Sequence, residues 1–491
     1  MAARTMSAPR LAALIGGLDG RSAMGPAYRQ LADRIRRLIA DGRVRVGTRL
    51  PSERGLTDAL AVSRTTVARA YDELRHRGYL RSRRGSGSVA TLPGGGVRPP
   101  ASPLGRVPGS AGVGSATDTG PATIDLTIAA PPAPAGVLAA YEQAIDELPH
   151  YLSGAGYYPA GLPGLRGAIA ARFTARGLPT DAEQIVVTAG ALAAVGLALR
   201  VVVDVGDRVA LCSPNYPNTI AAIRDRGART VPVDLEPDGF DLSAWAATLR
   251  QAAPRAAYLV PDFHNPTGLL MSTAQRQELA AELRRTRTTG IVDESVAEVV
   301  LDDVAMPPPF AAAGGDLITV GGLSKAVWGG LRIGWLRAGR SRIASVITAR
   351  LSADIGAPVL EQLVANRLLE ADPQTGPIAA MRAQLRDSRA ALLSALAAEL
   401  PQWRVRRPAG GICLWCELPA AVSAALVTAA EAHGVLLASG SQFSVDGELE
   451  RFVRLPYALP ADELTEAVPR IAAAYAEIDP SKPARRRAIV A

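Results

Sequence analysis

Residues 92–121, LPGGGVRPPASPLGRVPGSAGVGSATDTGP, hold 17 Pro, Gly and Ser in a stretch of 30. Such a segment cannot bury enough apolar surface to offset the entropy of ordering it. It therefore divides the chain, and as a flexible coil it would span roughly 30 Å, from ~5–6 Å × √n. The sequence predicts a folded module over 1–91, a linker over 92–121 and a larger domain over 122–491.

The two folded parts carry different charge. Residues 1–91 contain 18 Arg and 7 acids, for a net of +11, while 92–491 contain 36 basic and 39 acidic residues, for a net of −3. The overall +8 is thus a property of the first module. A concentrated basic excess suits a polyanion, although an Arg-rich solvated surface would give the same count. Three cysteines, Cys212, Cys413 and Cys416, are too few for a disulfide framework, so a reducing, cytoplasmic setting is expected. Cys413 and Cys416 form a C-x-x-C, but ICLWCEL has the pattern of a packed strand, and no metal site is expected. The opening LAALIGGLD is too short for a secretory signal and ends in an acid. The longest apolar run, Ile185 to Val203, includes Thr188, Arg200 and two glycines, which fits strand, turn and helix better than a membrane span.

In the basic module, Leu31, Ile35, Leu38 and Ile39 recur at helical spacing between Pro26 and Gly42. Ser52 is placed to cap a short helix carrying Leu56 and Leu60. A tight turn at Ala61–Val62 leads to Ser63, a second cap, after which Val67, Ala70, Tyr71 and Leu74 share one face. Gly78 ends that helix, and Tyr79 to Thr91 form a two-stranded ribbon around Arg83-Arg84-Gly85-Ser86-Gly87. Helix, turn, helix and ribbon make a winged helix-turn-helix, which sets the start of its second helix in the major groove of double-stranded DNA. Arg64 there could read guanine or grip phosphate, and Ser63, Thr65 and Thr66 could bond phosphates. The glycine-flanked Arg83 and Arg84 fit the minor groove or the backbone. This segment, LPSERGL followed by VSRTTVARAYDELRHRGYLRSRRGSG, closely resembles the winged helix of the GntR regulators. The resemblance implies DNA contacts from Arg54, Arg64, Thr66, Arg84 and Gly85, with Arg49 and Arg69 as further candidates.

Only Lys325 and Lys482 are lysine among 54 basic residues. Lys482 sits in the tail PSKPARRRA. Lys325, in TVGGLSKAVWGGLRIGWL, has glycine and large apolar neighbours. A guanidinium stays protonated and cannot form a Schiff base, so a retained lysine in an apolar setting is a candidate covalent site. Other segments supply what a phosphorylated aldehyde cofactor would need. VVTAGAL is a strand entering a glycine turn and a helix, whose free N–H groups can hold a phosphate. Tyr216, between two prolines, could stack on a ring or serve as a core aromatic. Asn265 follows a strand and could bond a ring hydroxyl. Asp293 ends the apolar strand of IVDES and could pair with a pyridinium nitrogen. Arg332 could clamp the phosphate.

The ordered set Asn265, Asp293, Lys325 and Arg332, with IDLTIAAPPAP and GYYPAGLPGLRGAIAARF before it, resembles the fold-type I pyridoxal 5′-phosphate enzymes of the aspartate aminotransferase superfamily, from about 123 to 476. The resemblance implies an α/β domain in which Lys325 holds the cofactor covalently. Asp293 would meet the ring nitrogen, Asn265 the 3′-oxygen, Tyr216 the ring face, and Gly190, Ala191 and Arg332 the phosphate. Arg454, in RFVRLPYA, would grip a substrate carboxylate, and Tyr157 or Tyr158 would reach a partner subunit's cofactor. Three positions depart from the pattern: Val296 where a tyrosine is common, Gly322 where a serine or threonine is common, and Leu192 where a glutamine is common. The order of the parts resembles the MocR/GabR subfamily of GntR-type regulators. That implies a homodimeric transcription regulator that senses pyridoxal phosphate or its adduct with an amine or amino acid. The alternative is a working aminotransferase with an appended DNA-binding module, and a residual half-reaction stays open under either reading.

Overall fold

The computed structural model describes residues 5–16, 26–44, 46–83, 87–93, 123–236 and 239–478. All but the first two residues of the Pro/Gly/Ser-rich stretch, the wing tip with Arg84 and Gly85, and Lys482 lie outside the described residues, as does the side chain of Arg83. The chain forms two compact units.

The N-terminal unit contains α1 (Ala8–Ile15), α2 (Ala27–Ala40), α3 (Glu53–Leu60) and α4 (Arg64–His76), followed by the antiparallel ribbon β1 (Leu80–Arg83) and β2 (Gly87–Ala90). The expected caps are in place: the Ser52 hydroxyl accepts the Gly55 N–H at 3.2 Å and the Ser63 hydroxyl accepts the Thr66 N–H at 3.1 Å. Each satisfies an orphan donor of a helix start, a contribution of about 1 kcal/mol. Between the two helices Ala61 adopts a φ of 52°, the left-handed conformation that lets the chain reverse. Leu31, Ile35, Leu56, Val67, Tyr71 and Leu74 share one core, and the Tyr71 hydroxyl donates to the Pro51 carbonyl at 2.9 Å. Helix α1 is an addition to the sequence expectation. It buries Leu11 and Ile15 in the same core, and Arg34 donates to the Ile15 carbonyl at its end.

Past the linker the chain forms β3 (Ile124–Asp125), α5 (Val137–Glu147), whose first residues are grouped with the N-terminal unit, and α6 (Pro163–Ala175). An alternating run follows: β4 (Ile185–Thr188), α7 (Ala191–Val202), β5 (Arg208–Ser213), α8 (Pro217–Asp225), β6 (Arg229–Glu236), β7 (Gly239–Phe240), α9 (Leu242–Ala252), β8 (Ala256–Leu259), α10 (Thr273–Thr286), β9 (Thr289–Asp293), β10 (Leu317–Gly322) and β11 (Gly334–Arg337). The C-terminal part contains α11 (Arg340–Leu351), α12 (Val359–Glu370), α13 (Pro377–Glu399), β12 (Arg404–Val405), β13 (Cys413–Glu417), α14 (Ser423–Ala432), β14 (Val435–Leu436), β15 (Ala438–Ser439), β16 (Phe452–Pro456) and α15 (Ala461–Ala476).

The large sheet has the order β4-β11-β10-β9-β8-β5-β6-β7. Only β11 and β7 run against the others. Its inner strands, buried on both faces, are apolar runs whose alternate residues enter two cores, whereas β6, toward one edge, is only partly buried. β5 sends Val209 and Leu211 to one side and Ala210 and Cys212 to the other. A second sheet, β12-β13-β16-β15, is antiparallel. The C-x-x-C spans β13, with both thiols buried in packing as the sequence pattern implied. Among the described residues no helix is long and apolar enough to cross a membrane.

Candidate functional site

Strands that share a direction end at the same edge of a sheet, and in such sheets ligands bind outside the carboxyl ends. Here the sequence candidates gather at that edge. Gly190 follows β4, Tyr216 follows β5, Asn265 follows β8, Asp293 ends β9, and Lys325 follows β10. Arg332 precedes β11, and Arg454 lies on β16 of the second sheet opposite Trp415.

Lys325 lies three residues beyond β10 and donates from Nζ to the Ala129 carbonyl at 2.7 Å. Burial lowers its pKa from 10.5 to about 8, helped by the Arg454 cation and opposed by Cys413 and Asp293. A primary amine that sheds its proton near neutrality is a usable nucleophile. Asp293 accepts the Ser295 N–H at 2.8 Å on Oδ1 and the Tyr258 hydroxyl at 2.6 Å on Oδ2. Tyr216 caps α8 after the cis Ser213–Pro214 bond, and its hydroxyl accepts from Asn218 Nδ2 at 2.9 Å. Asn265 precedes a cis Pro266, and the Cys413 thiol stands 3.6 Å from its Oδ1. Burial pushes that thiol up to about 11, so it stays a donor.

The anion cradle is built from close backbone approaches. Gly190 has a φ of 93° at the start of α7, where Ala191 presents an unshared first-turn N–H. Arg332 donates to the Ala189 carbonyl at 3.0 Å and lies across Gly190, where a Cβ would stand 2.6 Å from Nη2. A Cβ at Gly334 would sit 2.5 Å from the Ala191 nitrogen. At Gly322 it would meet the Ile333 carbonyl oxygen at 3.2 Å and the Ala191 nitrogen at 3.4 Å. A side chain at 322 would thus sit close against the Ile333 carbonyl. Helix dipole, free N–H groups and a guanidinium together can hold an anion.

Arg454 is buried over the Phe443 ring at 4.9 Å and donates to the Thr127 carbonyl, while its Nε has no partner. Trp415 stacks on Phe452 and meets Phe443 edge-on, which walls the guanidinium. Tyr157 is exposed and Tyr158 half-buried. Val296 is buried, and Leu192 is exposed on α7.

Two features were not legible in the sequence reading. Tyr258 reaches Asp293 from β8; its signal was a hydroxyl in an apolar strand, since a buried tyrosine oxygen usually finds a partner. The carbonyls of Thr127 and Ala129 meet Arg454 and Lys325 from the segment after β3. Backbone acceptors leave no residue-type signal.

In the N-terminal unit Arg54, Arg64 and Thr65 are exposed, whereas the Ser63 and Thr66 hydroxyls bond each other at 2.8 Å and serve the cap. Arg49 lies along Gly87 at the wing, and Arg69 covers the Tyr28 ring at 5.5 Å. Arg75 and Arg77 are paired with Asp72 and with Glu73 and Asp33, whereas among the described residues Arg54 and Arg64 have no carboxylate partner.

Residues 136–471 match the aminotransferase class I and II family, and residues 27–89 match the bacterial regulatory proteins of the gntR family. The chain is 27% identical to the uncharacterized HTH-type transcriptional regulator YdfD of Bacillus subtilis, over 88% of this chain and 92% of that protein. It is 31% identical to the probable rhizopine catabolism regulatory protein MocR of Rhizobium meliloti, over 64% of this chain and 66% of that protein. The structure of LysN, the alpha-aminoadipate aminotransferase of Thermus thermophilus complexed with N-(5′-phosphopyridoxyl)-L-leucine, superposes with a TM-score of 0.66 at 29% identity, over 72% of this chain and 92% of that one. The chain therefore belongs to the class I and II aminotransferase family and, with a GntR-family winged helix ahead of that domain, to the MocR-type DNA-binding regulators.

Proposed function

We propose that this regulator holds pyridoxal 5′-phosphate on Lys325 and couples its occupancy, or exchange with an amine or amino acid, to DNA binding. The observation that carries the reading is one edge of the large sheet. It joins an amine depressed to about 8, a carboxylate at the end of β9 and a guanidinium laid over a helix start. The cofactor supplies an electrophilic aldehyde and an electron-accepting ring. Lys325 provides the amine for it. Gly190, Ala191 and Arg332 bind its phosphate, Asp293 accepts from its ring nitrogen, and Asn265 and Tyr216 orient the ring. Arg454 takes the carboxylate of an amino-acid effector, within walls of Trp415 and Phe443 that exclude water. The protein works in the cytoplasm as a homodimer, with Tyr157 or Tyr158 turned to the partner's site. Arg54, Arg64, Thr65 and the wing meet the DNA, with Ser63 and Thr66 forming the cap that presents them.

Coupling requires that a ligand bind the DNA-competent arrangement with an affinity different from the others. The decisive experiment measures DNA binding with and without pyridoxal phosphate, beside turnover with amino and keto acids. Cofactor-dependent, sequence-specific binding is expected. Rapid steady-state transamination with no specific DNA binding would overturn the proposal in favour of a working aminotransferase.

A further inference from the structure

Tyr258 stands on β8, between β5 and β9 in the large sheet. Its ring is packed in the core with Val209, Leu211, Ile220 and Ile291. Its hydroxyl donates to Asp293 Oδ2 at 2.6 Å and accepts from Thr219 Oγ1 at 3.3 Å. Thr219 belongs to α8, one turn beyond Tyr216. With the Ser295 N–H on Oδ1, both oxygens of Asp293 are held from the protein side, and each keeps a lone pair for another donor.

We propose that Tyr258 is a positioning residue for the cofactor's ring nitrogen: it locks the Asp293 carboxylate in the orientation that accepts a pyridinium N–H. The inference rests on the assignment of Asp293 to that nitrogen. Burial, and then the Asp293 charge, raise the Tyr258 pKa well above 10, so the phenol remains a donor at any physiological pH. A hydrogen bond to a charged acceptor in a buried site is among the stronger ones. Phenylalanine at 258 keeps the ring and its packing but removes the donor. Asp293 is then held by one backbone N–H and can turn about its side-chain torsions. The role belongs to the strand before Asn265, and Val296, three residues past the aspartate, has no part in it.

The test titrates apoprotein with pyridoxal 5′-phosphate and with its 1-deaza analogue, in which a C–H replaces the ring nitrogen. Wild type should prefer the natural cofactor. Tyr258→Phe should lose about tenfold in affinity for pyridoxal phosphate and nothing for the analogue, so the analogue doubles as a check on folding. In the Asp293→Asn background, adding Tyr258→Phe should cost nothing further, because the phenol acts through the carboxylate. An equal loss for both ligands, or an undiminished preference in Tyr258→Phe, would overturn this role for Tyr258 alone. A wild type that does not distinguish the ligands would overturn the assignment of Asp293, and this inference with it.

Discussion

Arg332 lies across Gly190 so closely that a Cβ on the glycine would stand 2.6 Å from Nη2. The glycine also has a φ of 93°, which side-chain-bearing residues rarely adopt. Gly190→Ala should therefore displace the guanidinium from the start of α7 while leaving the sheet intact. One charge-assisted bond to phosphate is worth about 1.5–3 kcal/mol, so retention of pyridoxal phosphate should weaken roughly 10- to 100-fold. Titration of apoprotein followed by visible absorbance reads this directly. Undiminished affinity would remove Gly190 and Arg332 from the phosphate site.

The depressed Lys325 amine makes a pH prediction. Capture of an aldehyde requires the neutral amine, and the folded pKa is about 8 against an ordinary 10.5. The capture rate should rise with pH and level off above about 8, rather than climb toward 10.5. Arg454 is one of the causes that lower it, so Arg454→Met should move the midpoint upward. Lys325→Arg keeps the charge and should abolish any borohydride-reducible attachment. A reducible attachment in that variant would show that another amine holds the cofactor.

Much of this was legible in the chain. The caps at Ser52 and Ser63, the strand–turn–helix at 185–203 and the packed C-x-x-C strand follow from local rules: a hydroxyl at a helix start, a change of apolar period, and alternating burial. The candidate residues after β4, β5, β8, β9 and β10 were found separately along the sequence, and the parallel sheet is what brings them to one edge. Contacts made by carbonyls, as at Thr127 and Ala129, or by residues distant in sequence, as with Tyr258 and Asp293, have no local signature. Helix α1 escaped because eight residues between uncharacteristic flanks are too few for periodicity to speak.

The arginines proposed to meet DNA differ in ion pairing from Arg77. Arg64 on α4 and Arg54 on α3 are exposed and have no carboxylate partner among the described residues, whereas Arg77 is 3.0 Å from Asp33 and 2.8 Å from Glu73. Arg64→Ala should weaken binding to DNA fragments recovered with the wild-type protein by about tenfold. If it contacts phosphate, the slope of log affinity against log salt should also fall by about one. Arg77→Ala should change either quantity little. A larger effect from Arg77 than from Arg64 would place the DNA on a different face of the winged helix.

The residue that follows the site's aspartate belongs to a charge network. Asp262, with no exposed surface, accepts Arg276 Nη2 at 2.6 Å, and Arg276 also donates to the Met271 and Pro308 carbonyls. Arg176 stands 3.7 Å from the other Asp262 oxygen and 2.8 Å from Glu294, the residue after Asp293. The buried Arg276 guanidinium and the partly exposed Arg176 guanidinium thus share two buried carboxylates. Removing one partner of such a set leaves an uncompensated buried charge, which costs about 3–5 kcal/mol. Asp262→Ala should lower stability to denaturant by that amount. Asp262→Asn keeps an acceptor for Arg276 but removes the charge, and should lose less. Because Glu294 adjoins Asp293, the alanine variant should also loosen cofactor retention even where it remains folded. A denaturation midpoint unchanged in Asp262→Ala would mean that Glu294 and the backbone carbonyls suffice to hold both arginines, and that the network does not brace the site.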